Sequence, residues 1–526
     1  MTRSAADIGA GLAPVRAAKA IRAGERIHVV GIAGAGASAA ALLAVARGGE
    51  VSGCDAGGPS PYSAAVEATG IPLSWGHDAA HVSGARSGHP PERLAVTKAL
   101  TAIQPDHPEL RAAAREGIPI ESWQQLVADA ATGHRLVAVA GTHAKSTTAG
   151  WLSHVLVSAG LDPSVFVGAL LPATITGALP ATARVGRGSI FVVEADEYAG
   201  NFDVYRPDVA VLTSLEWDHP DVFADVDAVE RAFEGWIRRM PEGGTLVANV
   251  RDHGVERLMA RISPSLTLSI IVVGLDDSEV EGDRSANGAA ERYRSVMGPA
   301  RPMFGRVTAT TPTSTAVDIA GLSSRGSSNA VRLPTAGRHN ASNAFGVIGA
   351  AVALGVDRSQ IVAGLESFPG IGRRLEFKGE AGGVVVYDDY GHHPSAVRAT
   401  IGAMRQREPG RRLWAVYEPL TYHRTAALLG EFAEALATAD AVAIANIWAG
   451  RDPDTTIASS GALASAVHDL RPELVTAAPG TVEDTAAWLA GQVRAGDAVV
   501  IMGGGHSYRI ADLLLAQRRD DEPDLS

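Results

Sequence analysis

One local pattern occurs three times in the chain: a short apolar run leads directly into a turn that contains glycine. The three segments are RIHVVGIAGAGAS at 26–38, RLVAVAGTHAKSTT at 135–148 and GGVVVYDDYGHHP at 382–394. Apolar runs also alternate with helical patterns, as in ALLGEFAEALATA at 427–439 followed by DAVAIANIWA at 440–449. Such alternation is typical of βαβ units, whose strands form parallel sheets. The sequence therefore predicts an α/β protein with largely parallel sheets.

The length of the chain indicates several domains. Its 526 residues exceed one ordinary domain and, at roughly 150 residues per domain, suggest about three. Breaks are expected at 125–134, which close the first βα series, and at the Pro/Gly hinge 367–372. The predicted units are a poorly ordered leader at 1–25, domains at 26–130, 131–368 and 369–526, and a disordered tail. Within the middle domain, 275–330 is predicted to hold loops and weak β-structure.

Composition excludes several classes of function. The formal net charge of −12 argues against general binding of nucleic acid or of an anionic membrane. The chain has no run of about 18 apolar residues and no apolar signal-peptide core, so we expect a cytoplasmic protein. The single cysteine, Cys54, cannot form an intramolecular disulfide and is expected to be a small buried residue at a strand end.

The segment AVAGTHAKSTT at 138–148 has the features of a phosphate-binding loop. An apolar strand ends in a tight turn, and a helix begins after it, so backbone N–H groups could hold anionic oxygens. Lys145 would then neutralise the outer phosphates, and the Ser146 hydroxyl would bind Mg²⁺. The alternative is an ordinary strand-to-helix turn with a solvated lysine.

Two further strands end in clusters of charged residues, in SIFVVEADEYAGNF at 189–202 and in VAVLTSLEWDHPDVF at 209–223. Several carboxylates at one strand end are costly unless a cation compensates them, which favours a metal site. Solvated polar strand ends are the alternative. The charged residues at the two ends are Glu194, Asp196, Glu197, Glu216, Asp218, His219 and Asp221.

Two later segments contain groups that could bind a nucleotide. In AGRHNASNAFGVIGAA at 336–351, Asn340 and Asn343 could read an adenine edge, or could simply cap the helix. In GIGRRLEFKGEAGGVVVYDDYGHHP at 370–394, a pair of arginines precedes a strand that ends in aspartates and histidines. Arginine pairs suit phosphate or carboxylate recognition, although surface ion pairs are the alternative.

With these five segments in this order, the chain resembles the Mur ligases, and within that family the enzymes that add L-alanine. The likeness extends from residue 26 to about residue 515. It implies a Rossmann-like N-terminal domain, a central P-loop ATPase-like domain, and a C-terminal α/β Rossmann-like domain that closes over the site. It also implies ATP and Mg²⁺, the substrates UDP-N-acetylmuramate and L-alanine, an acyl-phosphate intermediate, and a monomer or weak homodimer.

The resemblance assigns roles residue by residue. Its ATP-binding residues are Gly141, Thr142, His143, Ala144, Lys145, Ser146, Thr147, Asn343, Asp388 and Asp389. Its metal ligands are Ser146, Glu194 and His219. Its catalytic residues are Lys145, Glu194, His219, Arg374, His392 and Arg424. Its UDP-sugar contacts are Gly31, Gly34, Gly36, Ser38 and Asp55.

Several positions depart from the family pattern, and they keep two alternatives open. Ala144 stands where the family has glycine before the lysine, a position that often needs backbone freedom. The other departures are Ala33, Ala37, Ser214, Leu420 and the C-terminal GGGHSY. The first alternative is a related recycling ligase that attaches a whole peptide to the same sugar nucleotide. The second is a degenerate nucleotide-binding module without catalysis, against which the retained charged residues argue.

Overall fold

A computed structural model describes residues 3–84, 88–276, 301–319, 330–450, 452 and 454–520. Its strands form three separate sheets of five, ten and six strands. The predicted α/β class is confirmed. The tail expected to be disordered begins at Arg518, but residues 518–520 belong to the helix Tyr508–Asp520; the rest of the tail lies outside the described residues. Much of the expected loop region, 277–300 and 320–329, lies outside them too.

The first sheet is parallel throughout, with the strand order β3-β2-β1-β4-β5. Its order reverses between β1 and β4, where a doubly wound sheet opens a crevice for ligands. The strands are β1 Arg26–Val30, β2 Glu50–Asp55, β3 Leu73–Trp75, β4 Arg93–Val96 and β5 Ile120–Ser122. The helices among them are Ala35–Ala46, Ser63–Ala68, Lys98–Ile103, Pro108–Glu116 and Trp123–Ala130.

The central sheet has the order β15-β14-β13-β12-β11-β10-β6-β9-β7-β8. Its strands are β6 Arg135–Ala140, β7 Ser164–Leu171, β8 Ala181–Arg184, β9 Ile190–Ala195, β10 Val209–Leu212, β11 Thr245–Asn249, β12 Ser269–Leu275, β13 Arg301–Thr311, β14 Ser314–Ile319 and β15 Ala330–Leu333. The main helices are Lys145–Ser158, Val226–Ile237, His253–Ile262, Arg338–Ala353 and Arg358–Glu366. Because β6 lies between β9 and β10 and is parallel to both, the carboxyl ends of these three strands meet at one edge.

The third sheet has the order β16-β17-β21-β18-β19-β20, and only β16 is antiparallel to its neighbour. Its strands are β16 Glu376–Ala381, β17 Val384–Asp389, β18 Leu413–Glu418, β19 Ala441–Ala445, β20 Val475–Gly480 and β21 Ala498–Gly503. Its helices are Pro394–Arg407, Tyr422–Ala427, Leu429–Leu436, Ser460–Leu470, Val482–Ala490 and Tyr508–Asp520. The four inner strands are buried on both faces because helices cover both sides, and the edge strands β16 and β20 are more exposed.

The described part of the region 275–330 is more regular than expected. Residues 301–319 form two long antiparallel strands that extend the central sheet, and β15 adds a third. In β14 the residues Thr315, Val317 and Ile319 are buried, and the residues between them are partly exposed, so the alternation of a half-buried strand is present in a polar sequence.

The segment before β1 packs on the body of the protein, which differs from the expectation of a poorly ordered leader. Ile8 is fully buried against Tyr198 and Ala199. Arg16 forms ion pairs with Glu121 and Asp129, each at 2.7 Å. The Asp129 side chain has no exposed surface, so this segment supplies one of the two arginines that compensate a buried charge.

We predict that Arg16→Met lowers the free energy of unfolding by about 2 kcal/mol, because Asp129 loses a charged partner while Arg93 remains. Urea denaturation followed by tryptophan fluorescence measures the change. Arg22→Met is the matched control, since Arg22 is largely exposed and an exposed pair contributes about 0.5 kcal/mol or less. Equal losses in the two variants would contradict the prediction.

Candidate active site

Backbone strain marks one region of the molecule. Seven residues other than glycine have a left-handed backbone among the described residues, and six of them lie in or beside the same cleft. Such conformations cost of order 1–3 kcal/mol each and concentrate at functional sites. The six are Ala144, Ala199, His219, Arg373, Leu375 and Thr421.

The predicted phosphate loop connects β6 to the helix Lys145–Ser158. Gly141 has φ of 140°, and a Cβ there would lie 2.2 Å from Thr213 Oγ1, so only glycine fits. Ala144 has φ of 65° and ψ of 1°, and no side chain caps the helix that follows. The first N–H groups of a helix have no partners within it, so this end can bind an anion.

Lys145 closes the loop and faces carboxylates. Its ammonium group donates to the carbonyl oxygens of Gly141 at 2.6 Å and Thr142 at 3.2 Å, and to Glu197 Oε2 at 3.0 Å. Burial alone would lower the pKa of Lys145, but the charges of Glu197, Asp196 and Glu194 raise it. The lysine is therefore held charged at the mouth of the loop.

The strand end of β9 supplies the predicted carboxylate Glu194. Its Oε1 accepts from the Ser146 hydroxyl at 2.9 Å, and its Oε2 accepts from the Gly168 N–H at 2.7 Å. Arg374 of the third domain donates to the same Ser146 oxygen at 2.7 Å. Two predicted metal ligands, Ser146 and Glu194, are thus in direct contact, and a predicted catalytic arginine lies beside them.

The third predicted metal ligand lies near two other carboxylates. Ligand atoms of Asp196, Glu197 and His219 lie within 4.8 Å of one another. Glu197 Oε1 is buried and has no hydrogen-bond partner among the described residues. Burial raises the pKa of Glu197 to about 7 even though Lys145 is adjacent. A buried carboxylate oxygen without a partner, next to a second acid and an imidazole, fits a bound cation.

A buried ion pair joins the third domain to the central one. Arg424 Nε donates to Asp218 Oδ1 at 2.7 Å, and both side chains are almost fully buried. Burial alone would raise the pKa of Asp218, but Arg424 holds it well below its usual range. Arg424 Nη2 also lies 3.3 Å from His219 Nδ1. Burial, with Arg424, holds the pKa of His392 well below its usual range, so His392 is neutral.

These groups surround a cavity of about 640 Å³ to which all three domains contribute. The central domain supplies the loop and the acids, and the third domain supplies Arg374, His392 and Arg424. The first domain supplies residues that the sequence analysis missed, namely Thr97, Leu100, Ile103, Gln104, Trp123 and Gln124. These follow β4 and β5, and the rule that ligands bind beyond the carboxyl ends of parallel strands could have found them.

A second cavity, of about 350 Å³, adjoins the other side of the loop. His143, Ala144 and Thr147 form one wall, and Asn343 and Asp389 lie on others. These predicted ATP-binding residues therefore share one space. Asn340 lines the same cavity, and its amide donates to the Ala336 carbonyl oxygen at 2.9 Å.

The structure separates the two aspartates that were predicted together. Asp388 has no exposed surface and pairs with Arg373 at 3.0 Å, which in turn donates to Gly503 O and Ser507 Oγ. Asp388 therefore anchors the chain segment that holds Arg374, and the prediction that it contacts the nucleotide is corrected. Asp389 lines the second cavity, although its carboxylate also accepts from the Leu375 and Gly391 N–H groups, each at 2.8 Å.

Three family models match the chain in succession. They are described as "Mur ligase family, catalytic domain" at 26–135, "Mur ligase middle domain" at 139–351 and "Mur ligase, glutamate ligase domain" at 373–505. A protein of Frankia casuarinae named UDP-N-acetylmuramate–L-alanine ligase is 34% identical over 517 residues, which cover 94% of this chain and 97% of that protein. The chain belongs to the Mur ligase family.

Other Mur ligases give the same result. A protein of Kineococcus radiotolerans, also named UDP-N-acetylmuramate–L-alanine ligase, is 37% identical over 91% of this chain and 93% of its own length. The crystal structure of a UDP-N-acetylmuramate–alanine ligase from Thermotoga maritima has a TM-score of 0.71 at 20% identity, covering 94% of this chain and all of that one. A murein peptide ligase from Psychrobacter arcticus has a TM-score of 0.69 at 24% identity, covering 95% of this chain and all of that one. The structural likeness extends to the three-domain Mur ligase fold.

The glycine turn expected to bind the UDP-sugar in a Mur ligase follows β1. Gly31 has φ of 76°, and a Cβ on Gly36 would lie 2.3 Å from the Trp123 ring. Asp55 accepts from the Ala33 N–H at 3.1 Å and so holds the turn. Gly34 precedes the helix Ala35–Ala46 as its N-cap.

Ser38 is placed differently from the expectation of a UDP-sugar contact. It has no exposed surface, and its hydroxyl bonds to Ala35 O and Thr182 Oγ1, each at 3.0 Å. Thr182 lies on β8, so Ser38 joins this helix to the central domain. The helix Ala35–Ala46 packs an apolar side against the central sheet, and Ser38 lies on that buried side.

We predict that Ala144→Gly leaves the protein equally stable or more stable by up to about 1.6 kcal/mol. Relief of a left-handed alanine gains about 1–2 kcal/mol, and glycine loses about 0.4–1 kcal/mol through the unfolded chain. Urea denaturation measures the change, and calorimetry with ATP and Mg²⁺ follows binding in both proteins.

Ala462→Gly is the matched control, since Ala462 is exposed in the helix Ser460–Leu470 and its replacement should cost about 0.5–1 kcal/mol. If Ala144→Gly lowered the free energy of unfolding as much as Ala462→Gly does, the inference that Ala144 is strained would be wrong. Failure of the wild-type chain to bind ATP, with rescue by Ala144→Gly, would favour the degenerate module.

Proposed function

We propose that this Mur ligase joins L-alanine to the lactyl carboxylate of UDP-N-acetylmuramate at the expense of ATP, in peptidoglycan precursor synthesis. The supporting observation is the cavity that places the Lys145 loop, the acids of β9 and the basic side chains of the third domain against a wall from the first domain. Relatives at 34–37% identity over more than nine-tenths of the chain are named for this reaction.

In this proposal the two cavities divide the substrates. The adenosine part of ATP occupies the cavity with Asn343 and Asp389, and its phosphates lie along Gly141–Thr147. Lys145 neutralises the outer phosphates, because its ammonium group lies against the carbonyl oxygens of this loop. UDP-N-acetylmuramate enters from the first domain, beside the β1 turn that contains Gly31, Gly34 and Gly36. Its acyl end reaches Arg374, His392 and Arg424 in the larger cavity.

The residues fit two sites for Mg²⁺. Ser146 and Glu194 would hold one ion, and His219 with the carboxylates of Asp196 and Glu197 would hold another. The unpartnered Glu197 oxygen supports this assignment. Bound Mg²⁺ would neutralise negative charge on the phosphate oxygens during transfer.

The chemistry proceeds in two steps. The lactyl carboxylate takes the γ-phosphoryl group and ADP leaves, which converts a poor leaving group into phosphate. The amine of L-alanine then attacks the acyl carbon, phosphate leaves, and an amide bond remains. Arg374 stabilises the developing charge from a fixed position, held by stacking on Tyr390 and by its bond to Ser146. His392 and Arg424 line the cavity near the incoming amine, whose proton leaves with the phosphate or passes to solvent.

We further propose that the protein works in the cytoplasm as a monomer or weak homodimer. The single cysteine, which forms no disulfide, agrees with a reducing compartment. Among the described residues, no helix has the length and apolar character needed to cross a membrane.

The proposal is tested by phosphate release from ATP with UDP-N-acetylmuramate and one acceptor at a time: L-alanine, glycine, L-serine, or the tripeptide that a recycling ligase would use. We expect release with L-alanine to exceed release with the tripeptide by at least about tenfold, or about 1.4 kcal/mol in barrier. The opposite order would support the recycling ligase, and no release with any acceptor would support the degenerate module.

We predict that Lys145→Ala reduces this activity by at least about a hundredfold, because the lysine stabilises charge that grows in the transition state. The folded fraction is checked by circular dichroism, since Glu197 also loses its cation. Lys19→Ala, which changes an exposed lysine, is the control and should be neutral. Activity of Lys145→Ala within tenfold of wild type would remove the residue from this role.

We predict that His219→Asn raises the Mg²⁺ concentration needed for half-maximal activity by several-fold. Asparagine tolerates the left-handed backbone of this position, with φ of 55°, so the test removes the imidazole without adding strain. His468→Asn, on an exposed helix surface, is the control. An unchanged Mg²⁺ titration would exclude His219 from the metal site.

A further inference from the structure

A second cluster of metal-binding side chains lies in the first domain, away from both cavities. The strands bring His28 of β1 beside Cys54 of β2. The short segment after β3 adds two histidines, and the start of the helix Pro108–Glu116 adds another histidine and a glutamate. The six residues are His28, Cys54, His77, His81, His107 and Glu109, and we refer to them as the histidine–cysteine cluster.

Four of these residues face a common centre. One ligand atom from each of His28, Cys54, His81 and Glu109 lies within 4.8 Å of the other three. Cys54 Sγ is 3.4 Å from His28 Nε2 and 3.0 Å from Glu109 Oε1, and His28 Nε2 is 3.9 Å from Glu109 Oε1. Around a tetrahedral zinc with bonds of about 2.0–2.3 Å, neighbouring ligand atoms are about 3.3–3.8 Å apart. The spacing of these three atoms is close to that arrangement.

His81 lies closer to one carboxylate oxygen than two metal ligands would. Its Nδ1 is 2.6 Å from Glu109 Oε1, which is hydrogen-bond distance. A bound ion would move these two atoms apart by about 0.7–1.2 Å. Alternatively, the second oxygen of Glu109, 3.1 Å from Cys54 Sγ, can bind the ion instead. His81 is therefore within reach of a shared ion after a small side-chain movement.

Burial makes this group of side chains costly without a cation. Glu109 and Cys54 have no exposed surface, and His28 and His107 are 2% and 3% exposed. Neither ring nitrogen of His107 has a hydrogen-bond partner among the described residues, and its nearest charged atom is Glu109 Oε2 at 4.0 Å. Buried polar groups are almost always hydrogen-bonded or bound to a metal. The unpartnered His107 shows that hydrogen bonds among the described residues do not satisfy all the buried polar groups of this cluster.

Outer contacts also match those of a metal site. His28 Nδ1 lies 2.9 Å from the Ser52 hydroxyl, so the ring can be oriented with Nε2 directed at the centre. Metal-binding histidines commonly have such a partner on the second nitrogen. His77 Nδ1 is 3.2 Å from Cys54 Sγ and its ring packs edge-on against His107, so these two histidines surround the centre as well.

We propose that His28, Cys54, His81 and Glu109 bind one zinc ion that fastens the segment after β3 and the helix Pro108–Glu116 to the first sheet. A thiolate, imidazoles and a carboxylate form a ligand set that suits Zn²⁺ and disfavours Mg²⁺. Binding displaces the proton of the Cys54 thiol to solvent, which leaves the thiolate as a ligand. The ion has four protein ligands and therefore a structural rather than a catalytic role.

The alternative is a metal-free network in which the thiol and His81 donate hydrogen bonds to Glu109. Cobalt distinguishes the two, because a thiolate bound to Co²⁺ gives a charge-transfer absorption band in the near ultraviolet. Cys54 is the only cysteine in the chain, so such a band can come from this cluster alone. The proposed Mg²⁺ sites contain no sulfur and do not contribute to it.

The experiment uses the full-length protein without a histidine tag. Its zinc content is measured by mass spectrometry after gel filtration, and the protein is then stripped with a chelator and titrated with Co²⁺. We expect about one zinc per chain and a charge-transfer band that saturates at about one Co²⁺ per chain. Cys54→Ser should lose the band, and Glu109→Gln should weaken zinc binding by at least about tenfold. His468→Ala, on an exposed surface, should match wild type.

Two results would overturn the proposal. One is wild-type protein that contains no zinc and gives no charge-transfer band with Co²⁺. The other is zinc content that is unchanged in Cys54→Ser. If the variants fail to fold, the wild-type zinc content and cobalt band decide the question without them.

Discussion

Lys145 makes the interaction on which the proposed active site depends. The ammonium group binds two carbonyl oxygens of its own loop and the buried carboxylate of Glu197, so one cation both closes the turn and compensates an acid of the β9 end. Without Lys145, the carboxylates of Glu194, Asp196 and Glu197 would repel one another in a poorly hydrated space. They lie where the carboxyl ends of β6, β9 and β10 meet. The position of the loop, of the acids and of the cavity beside them all follow from that contact.

The third domain is joined to this centre through arginines that serve different purposes. Arg424 is buried with Asp218 of the central domain, and Arg374 reaches the hydroxyl of Ser146. Arg373 points the other way and binds Asp388 within its own domain. Of these two adjacent residues, Arg373 lies in the interior of the third domain and Arg374 lies in the cleft. The left-handed backbone at Arg373 and Leu375 accompanies that change of direction. Strain in this segment is offset by the buried pairs that fix its two ends.

The first domain contains two polar centres on opposite sides of its sheet. On one side, the helix Ala35–Ala46 packs its alanines against the central sheet, with Ser38 bonded to Thr182. On the other side, the histidine–cysteine cluster lies among the apolar residues around Val82 and Leu110. On the first side, small residues allow the helix to approach the central sheet closely. On the second side, the histidine–cysteine cluster takes the place of apolar surface, of which a small domain has little to bury.

The sequence by itself determined the α/β class, and it predicted the phosphate loop and the acids beside it, because these signals are local. A strand, a turn and a helix follow one another within a few residues, and the carboxyl ends of neighbouring parallel strands meet wherever the strands lie. The resemblance also marked Ala144 as a position that often needs backbone freedom, and the structure has a left-handed conformation there. The family resemblance rested on the same local segments.

Only the tertiary structure decided which of two adjacent aspartates faces a cavity, that Ser38 is buried, and that Arg16 holds the first segment in place. It also decided that Cys54, expected to be an ordinary small buried residue, is surrounded by histidines. The members of that cluster lie between 23 and 55 residues from Cys54 along the chain. Side chains so far apart in sequence meet only through strand order and helix packing, which no local pattern encodes.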